Sequence, residues 1–265
     1  MSRKINLSSR TKIIALIAIF AALFAVLRRM DTIPMIGVAG ARFSLSDILP
    51  PIYGIILGPF TGGISVIIGT FLGIAMGKPV SFLFFDFLPA FVNTFAIGLL
   101  VRRKWWPVVL LYIALLVAFL VNPLTSVFID VGGVVVPFVW LHIVAFIVLL
   151  SPLGRKAGRW VESLKPALLA AGIAILAFIG TMMQHLMGNI LYEVVLNQFY
   201  VVLGQDPIVA TAAYSGIWSL TFFLYPWERL MLILLAVIVG VPLVRVLKHT
   251  FFRSEKQPTP ENKQL

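Results

Sequence analysis

The chain has 265 residues, 60% of them hydrophobic and 12% charged, with a formal net charge of +11. Soluble domains carry about 25% charged residues. Too little polar surface is left here to cover a water-facing fold, so a soluble globule is excluded. There is no cysteine, which rules out a disulfide framework or a thiolate metal site. The basic residues are dispersed between apolar runs, a pattern that marks topology rather than nucleic-acid binding.

Only helices and closed barrels satisfy their backbone groups inside a bilayer. The long unbroken apolar runs at 13–27, 108–121 and 230–243 lack the alternation of a barrel strand. The expected fold is therefore an all-α polytopic bundle of six to eight transmembrane helices. Residues 1–252 form one domain and 253–265 a disordered cytoplasmic tail. In chain order the spans are expected at 12–27, 47–57, 60–76, 82–101, 105–121, 134–150, 166–187 and 228–247. The second is short and broken by proline. The first is read as a span, because its apolar run ends in Arg28-Arg29 without a small-residue cleavage site.

The first span carries Ala15, Ala18, Ala22 and Ala25 at spacings of three and four, with Ala21 and Ala25 as a second pair. Small residues at this spacing let another helix approach closely. The neighbour is either a helix of the same chain or another subunit. The third span has Ser65, Gly69, Gly73 and Gly77 on one face, which points to tight packing inside the bundle. Basic clusters recur at 3–12, 102–104, 155–165 and 245–256. With eight crossings, every cluster falls on the cytoplasmic side and both termini are cytoplasmic. Arg28 and Arg29 are the misfit and are expected to pair with Asp31 or Asp47. The outer connection 188–227 holds an amphipathic stretch at 190–203. Its Tyr214, Trp218, Tyr225 and Trp227 suit either an interfacial aromatic belt or a lid.

A charge at the bilayer centre costs roughly 2.5–3.5 kcal/mol on insertion scales, so each intramembrane polar residue needs a reason. Asp86 and Asn93 lie seven apart on one face of the fourth span. Asn122 and Asp130 flank the outer end of the fifth. Trp140 and His142 lie on the sixth span, and Gln184 and His185 near the outer end of the seventh, followed by Asn189 and Glu193. Most of this set falls in the outer half of the membrane, as a polar cavity open to the outside requires. Interhelical hydrogen bonding accounts for any single member equally well. His142, His185 and Asp86 have no spacing that demands a metal, and no cofactor is implied. His-Glu-x-x-His, Gly-x-Ser-x-Gly and the phosphate-binding P-loop are all absent.

Two stretches carry a resemblance to a known family. One is the alanine-striped helix at 15–25. The other runs from Arg42 through Leu57-Gly58-Pro59 and Gly62-Gly63 to Gly69 and Gly73. Together they resemble the substrate-binding S component of energy-coupling factor (ECF) vitamin transporters, over about the first hundred residues. The family has six spans, fewer than the eight counted here. The resemblance implies a subunit that captures a small nutrient from outside. It implies docking through Ala18, Ala22 and Ala25 onto a transmembrane coupling subunit served by two ATPase subunits. The expected substrate ligands are Asp86, Asn93, Asn122, Trp140, His142, Gln184, His185 and Glu193, with Trp140 stacking on a planar ring. Three alternatives stay open: a self-sufficient proton-coupled transporter, an intramembrane enzyme using His142, His185 and Asp86, and a structural subunit without a ligand.

Overall fold

The computed structural model describes residues 10–253, with side chains to residue 247. It is predominantly helical. Helix α1 spans Arg10–Arg28, and a hairpin of β1 (Asp31–Pro34) and β2 (Arg42–Ser44) follows. A 3-10 turn at Leu45–Ile48 leads into α2 (Leu49–Leu57), then α3 (Pro59–Ala75). A second 3-10 turn, Phe85–Phe87, opens α4 (Leu88–Val101), and α5 is Trp105–Leu120. The hairpin of β3 (Phe128–Val131) and β4 (Val134–Pro137) precedes α6 (Trp140–Leu150) and α7 (Pro152–Trp160). Helix α8 (Pro166–Glu193) runs through a π-helical segment, Val194–Phe199, into the short α9 (Tyr200–Val202). The last helix, α10, is Tyr214–Arg253. The expected disordered tail lies outside the described residues, apart from Arg253, which ends α10.

Among the described residues, three helical stretches are long and apolar enough to cross a membrane: Arg10–Arg28, Pro166–Val202 and Thr211–Leu247. The α6–α7 pair, bent by 71°, reaches that length only when its two helices are taken as one span. The stretches Leu45–Leu57, Pro59–Ala75, Phe85–Val101 and Trp105–Leu120 are apolar but shorter. At 1.5 Å per residue, a helix of 16 residues reaches about 24 Å, below the roughly 30 Å hydrocarbon core.

Two expectations about element boundaries are corrected. Residues 134–137 are a strand, because Val134, Val135 and Val136 are β-branched and follow Gly132-Gly133 at φ 63° and 89°. A two-residue Gly-Gly turn with positive φ matches the twist of a hairpin. The outer connection expected at 188–227 shrinks to about 203–213: the helix of α8 runs on through Val194–Phe199 to Val202, and α10 begins at Tyr214. Pro226 and Pro242 lie inside α10 without ending it.

Helix α8 is the axis of the bundle, with 56% of its apolar window buried against 22% for α1 and 17% for α10. It packs on α4, α7 and α10. Helix α1 lies mainly against α3. A Cβ on Gly69 would sit 2.7 Å from the Phe24 Cβ and 2.8 Å from the Ala21 carbonyl oxygen, so the glycine stripe is what admits α1. Tyr53 ties α2 to the same helix by donating to the Phe20 carbonyl at 2.7 Å. Gly58 turns α2 into α3 at φ 79°, a conformation that side chains rarely adopt. Gly69→Val is therefore expected to cost about 3 kcal/mol through overpacking against backbone. Urea or thermal unfolding by circular dichroism measures it, and a loss below about 0.5 kcal/mol contradicts this seat.

Candidate functional site

A cavity of about 730 Å³ opens between α1, the β1–β2 hairpin, the Leu45–Ile48 turn, the start of α4, α8 and α10. Pockets of roughly 300–1,000 Å³ hold small organic ligands. It lies at one end of the bundle, and four helices agree on which. Each meets the cavity at one end and carries basic residues at the other: α1 with Arg28 against Arg10 and Lys12, α4 with Pro89 and Ala90 against Arg102–Lys104. Helix α8 lines it from Gln184 to Tyr192 and starts beside Lys165. Helix α10 lines it between Ile217 and Leu235, ahead of Arg245.

Charged side chains are drawn into the cavity wall and held there. Arg28 is 3.6 Å from Asp86. The two Asp86 carboxylate oxygens accept from the Ser81 and Phe82 backbone N–H groups at 2.9 and 3.1 Å. The left-handed residues Leu83 and Phe84 bend the chain so that these N–H groups face Asp86. Asp47 accepts from Ser44 N–H at 3.3 Å and from the Gln184 amide at 3.0 Å. Gln184 in turn accepts from the Asn93 amide at 2.8 Å, which joins the Leu45–Ile48 turn, α4 and α8 in one chain of hydrogen bonds. Arg229 donates to Glu228 at 2.6 Å and to Thr181 at 3.3 Å. Gln184→Leu leaves the buried Asn93 amide and one oxygen of the half-buried Asp47 without a partner, and is expected to cost about 2 kcal/mol, chiefly from Asn93. A thermal unfolding midpoint within a degree of wild type contradicts this.

An aromatic wall closes one side. His142 and His185 stack with centroids 5.1 Å apart and a ring nitrogen of each within 3.0 Å. Tyr225 lies 4.9 Å from His185. Its hydroxyl donates to the Phe138 carbonyl at 3.1 Å. Trp218 packs edge-on against Phe119 and donates to the Leu124 carbonyl at 2.8 Å. Tyr192 donates to the Ile36 carbonyl at 2.7 Å, which anchors the β1–β2 hairpin over the cavity.

Of the expected substrate ligands, Asp86, Gln184 and His185 line this cavity. Asn93 and His142 stand directly behind them, as supports of Gln184 and His185. The other three lie elsewhere. Asn122 accepts from Leu124 N–H and the Gln198 amide, and so shapes the turn that follows α5. Glu193 is fully buried and accepts from Thr125 at 2.6 Å, tying α8 to the β3 approach. Trp140 is 37% exposed on the outside of α6, so it stacks on no ligand in this cavity. The docking alanines also divide. Ala18 and Ala22 are exposed, as is Ala15, whereas Ala25 is 2% exposed, where α1 packs on α3 and the Leu45–Ile48 turn.

No family model, curated protein or solved structure matches the chain. The reading of the site therefore rests on its own chemistry.

The aromatic belt is a core instead: Tyr214, Trp218 and Tyr225 are buried and only Trp227 is exposed. The ion pair of Arg28 is with Asp86, and Asp31 is taken by Lys78. Lys78, Glu228 and Arg229 were not expected in the site. Each sits at the margin of an apolar run, where charge reads as a flank. Gly77 after α3 and the 40-residue α10 decide otherwise. Among the described residues no group of three or more His, Cys, Asp or Glu is placed to hold a metal ion.

The Lys78 ammonium donates to Asp31 and holds its carboxyl below the usual carboxylate range. Stability from this pair is present above the ordinary aspartate value of about 3.9 and is lost as pH falls through the lower folded value. The unfolding midpoints of wild type and Asp31→Asn should therefore differ at pH 6 and draw together as pH falls below the ordinary aspartate value, converging only once the lowered folded value is passed. A gap that stays constant over that range contradicts the assignment.

Proposed function

We propose that the chain is the substrate-capture subunit of an ECF-type importer in the cell membrane. It crosses the bilayer several times with both termini cytoplasmic, and binds a vitamin or related small nutrient from outside. A coupling subunit and two ATPase subunits supply the driving force. The observation that carries the reading is the cavity at the end away from the basic clusters, with its buried Arg28, Asp86, Gln184 and Arg229. Charged groups in hydrocarbon are costly and mark ligand or ion paths. By the positive-inside rule, that end faces outward. The β1–β2 hairpin, held by Tyr192, lies over the cavity. The exposed Ala15, Ala18 and Ala22 leave one face of α1 open to a second helix. The chain carries no nucleotide loop, so hydrolysis falls to the partners.

The test has two stages. Protein purified in lipid nanodiscs is expected to bind one member of a vitamin panel saturably, and mass spectrometry of the extract should find the same compound. In vesicles, uptake should require the coupling subunit, the ATPases and internal ATP. Uptake by the chain alone under a proton gradient would replace this reading with a self-sufficient transporter. Absence of saturable binding across the panel would end it.

A further inference from the structure

Among the described residues, the cavity wall carries buried N–H donors that no neighbouring acceptor answers. Both carboxylate oxygens of Asp47 and of Asp86 already accept hydrogen bonds, and Glu228 Oε1 accepts from Arg229. Three N–H donors have no partner: Arg28 Nε, Asn189 Nδ2 and Arg229 Nε. These residues line the cavity and are 9%, 7% and 3% exposed. An unpaired buried donor costs about 1–3 kcal/mol, so a ligand that supplies acceptors gains where water is scarce. Two of the three donors are guanidinium N–H groups, which favour an anionic acceptor.

Part of the cavity wall is apolar and open. Ile33, Leu220, Leu224, Trp227 and Met231 line it, yet each is between 47% and 70% exposed. The wall between β1 and the first half of α10 is thus also part of the lateral surface. In a bilayer such a surface faces acyl chains rather than water.

We infer that the captured molecule is an amphiphile, an alkyl chain ending in a carboxylate, that reaches the cavity sideways between β1 and α10. The carboxylate meets Arg28, Asn189 and Arg229, and the chain lies along Leu220, Leu224 and Trp227. The inference rests on the capture reading and specifies its ligand class.

Full-length protein in nanodiscs, titrated with decanoate, decanol and hexanoate, tests it. Each buried methylene is worth about 0.8 kcal/mol, or roughly fourfold in affinity. Decanoate should bind saturably and at least tenfold more tightly than either decanol or hexanoate. Asn189→Leu and Arg229→Lys should each weaken decanoate at least fivefold and leave decanol unchanged. Leu224→Trp should slow decanoate association at least tenfold, with circular dichroism unchanged. Equal binding of decanoate and decanol, or decanoate binding indifferent to both head-group variants, overturns the proposal as mere partition into lipid. Saturable binding of a polar vitamin that decanoate does not displace overturns the amphiphile class and leaves nutrient capture standing. If neither decanoate nor any vitamin binds saturably, capture falls as well.

Discussion

Arg28→Met is expected to destabilise the folded protein by about 3 kcal/mol, because it leaves Asp86 charged and buried without its counterion. The two side chains are only 11% and 3% exposed, and they stand 3.6 Å apart. The Ser81 and Phe82 N–H groups still serve Asp86, which keeps the loss from being larger. Adding Asp86→Ala should not double the damage. The double-mutant cycle should return a favourable coupling of about 1–3 kcal/mol. Thermal unfolding in a fixed lipid composition measures both. A coupling within 0.5 kcal/mol of zero would mean that the pair is incidental and that Arg28 is held by something else. The methionine keeps the aliphatic stem, which matters because a Cβ on Gly73 would already lie 2.9 Å from Arg28 Cδ.

The second large effect concerns α1. Ala22→Trp and Ala18→Trp are expected to lower ATP-dependent uptake at least tenfold while leaving ligand binding and the unfolding midpoint near wild type. Both positions are exposed, so a bulky ring obstructs only a helix arriving from outside the chain. Ala25→Trp is expected to behave differently. Ala25 is 2% exposed, so the ring must enter packed structure, at a cost of about 3 kcal/mol or more. It should lose expression and binding together. Uptake by the Ala22→Trp protein at wild-type rate would show that partners meet another face. Equal damage at Ala22 and Ala25 would show that the exposed alanines are packed in the membrane.

Much of the helical pattern was legible in the sequence. The runs at 12–27, 60–76 and 105–121 match α1, α3 and α5 within two residues, because an uninterrupted apolar run of that length has no other way to satisfy its backbone. The break at Gly58-Pro59 was equally plain, since proline suits a helix start and the glycine takes the positive φ before it. The outer hairpins were missed. Their signals are short, and Val134–Pro137 adjoins an apolar helix that absorbs it in any hydropathy reading. The stretch 190–203 was legible as amphipathic, but not as a buried continuation of the α8 helix: by polarity Glu193 and Asn197 suit a surface, whereas inside the bundle Asn197 bonds Val209 and Glu193 bonds Thr125.

The candidate site was half visible. Asp86, Gln184 and His185 stood out because each interrupts an apolar run, and all three reach one cavity. Asn122, Glu193 and Trp140 stood out for the same reason and do not. Polarity inside a span announces that a partner exists but not whether it is a ligand or a neighbouring side chain. Arg28 stood out as a misfit to the topology, but nothing in the sequence named Asp86 as its partner, and Arg229 carried no signal, since charge at the end of an apolar run is ordinary.

By itself the sequence determined that this chain is helical, that it carries runs long and apolar enough to cross a bilayer, and where its basic residues punctuate them. Those properties follow from composition and from the local need of each backbone group for a hydrogen bond. Only the tertiary structure decided which buried charges share a cavity, which alanines face outward, and that Lys78 answers Asp31 across 47 positions. Such pairings join residues far apart in the chain, and their energy depends on distance and burial, which no local pattern encodes.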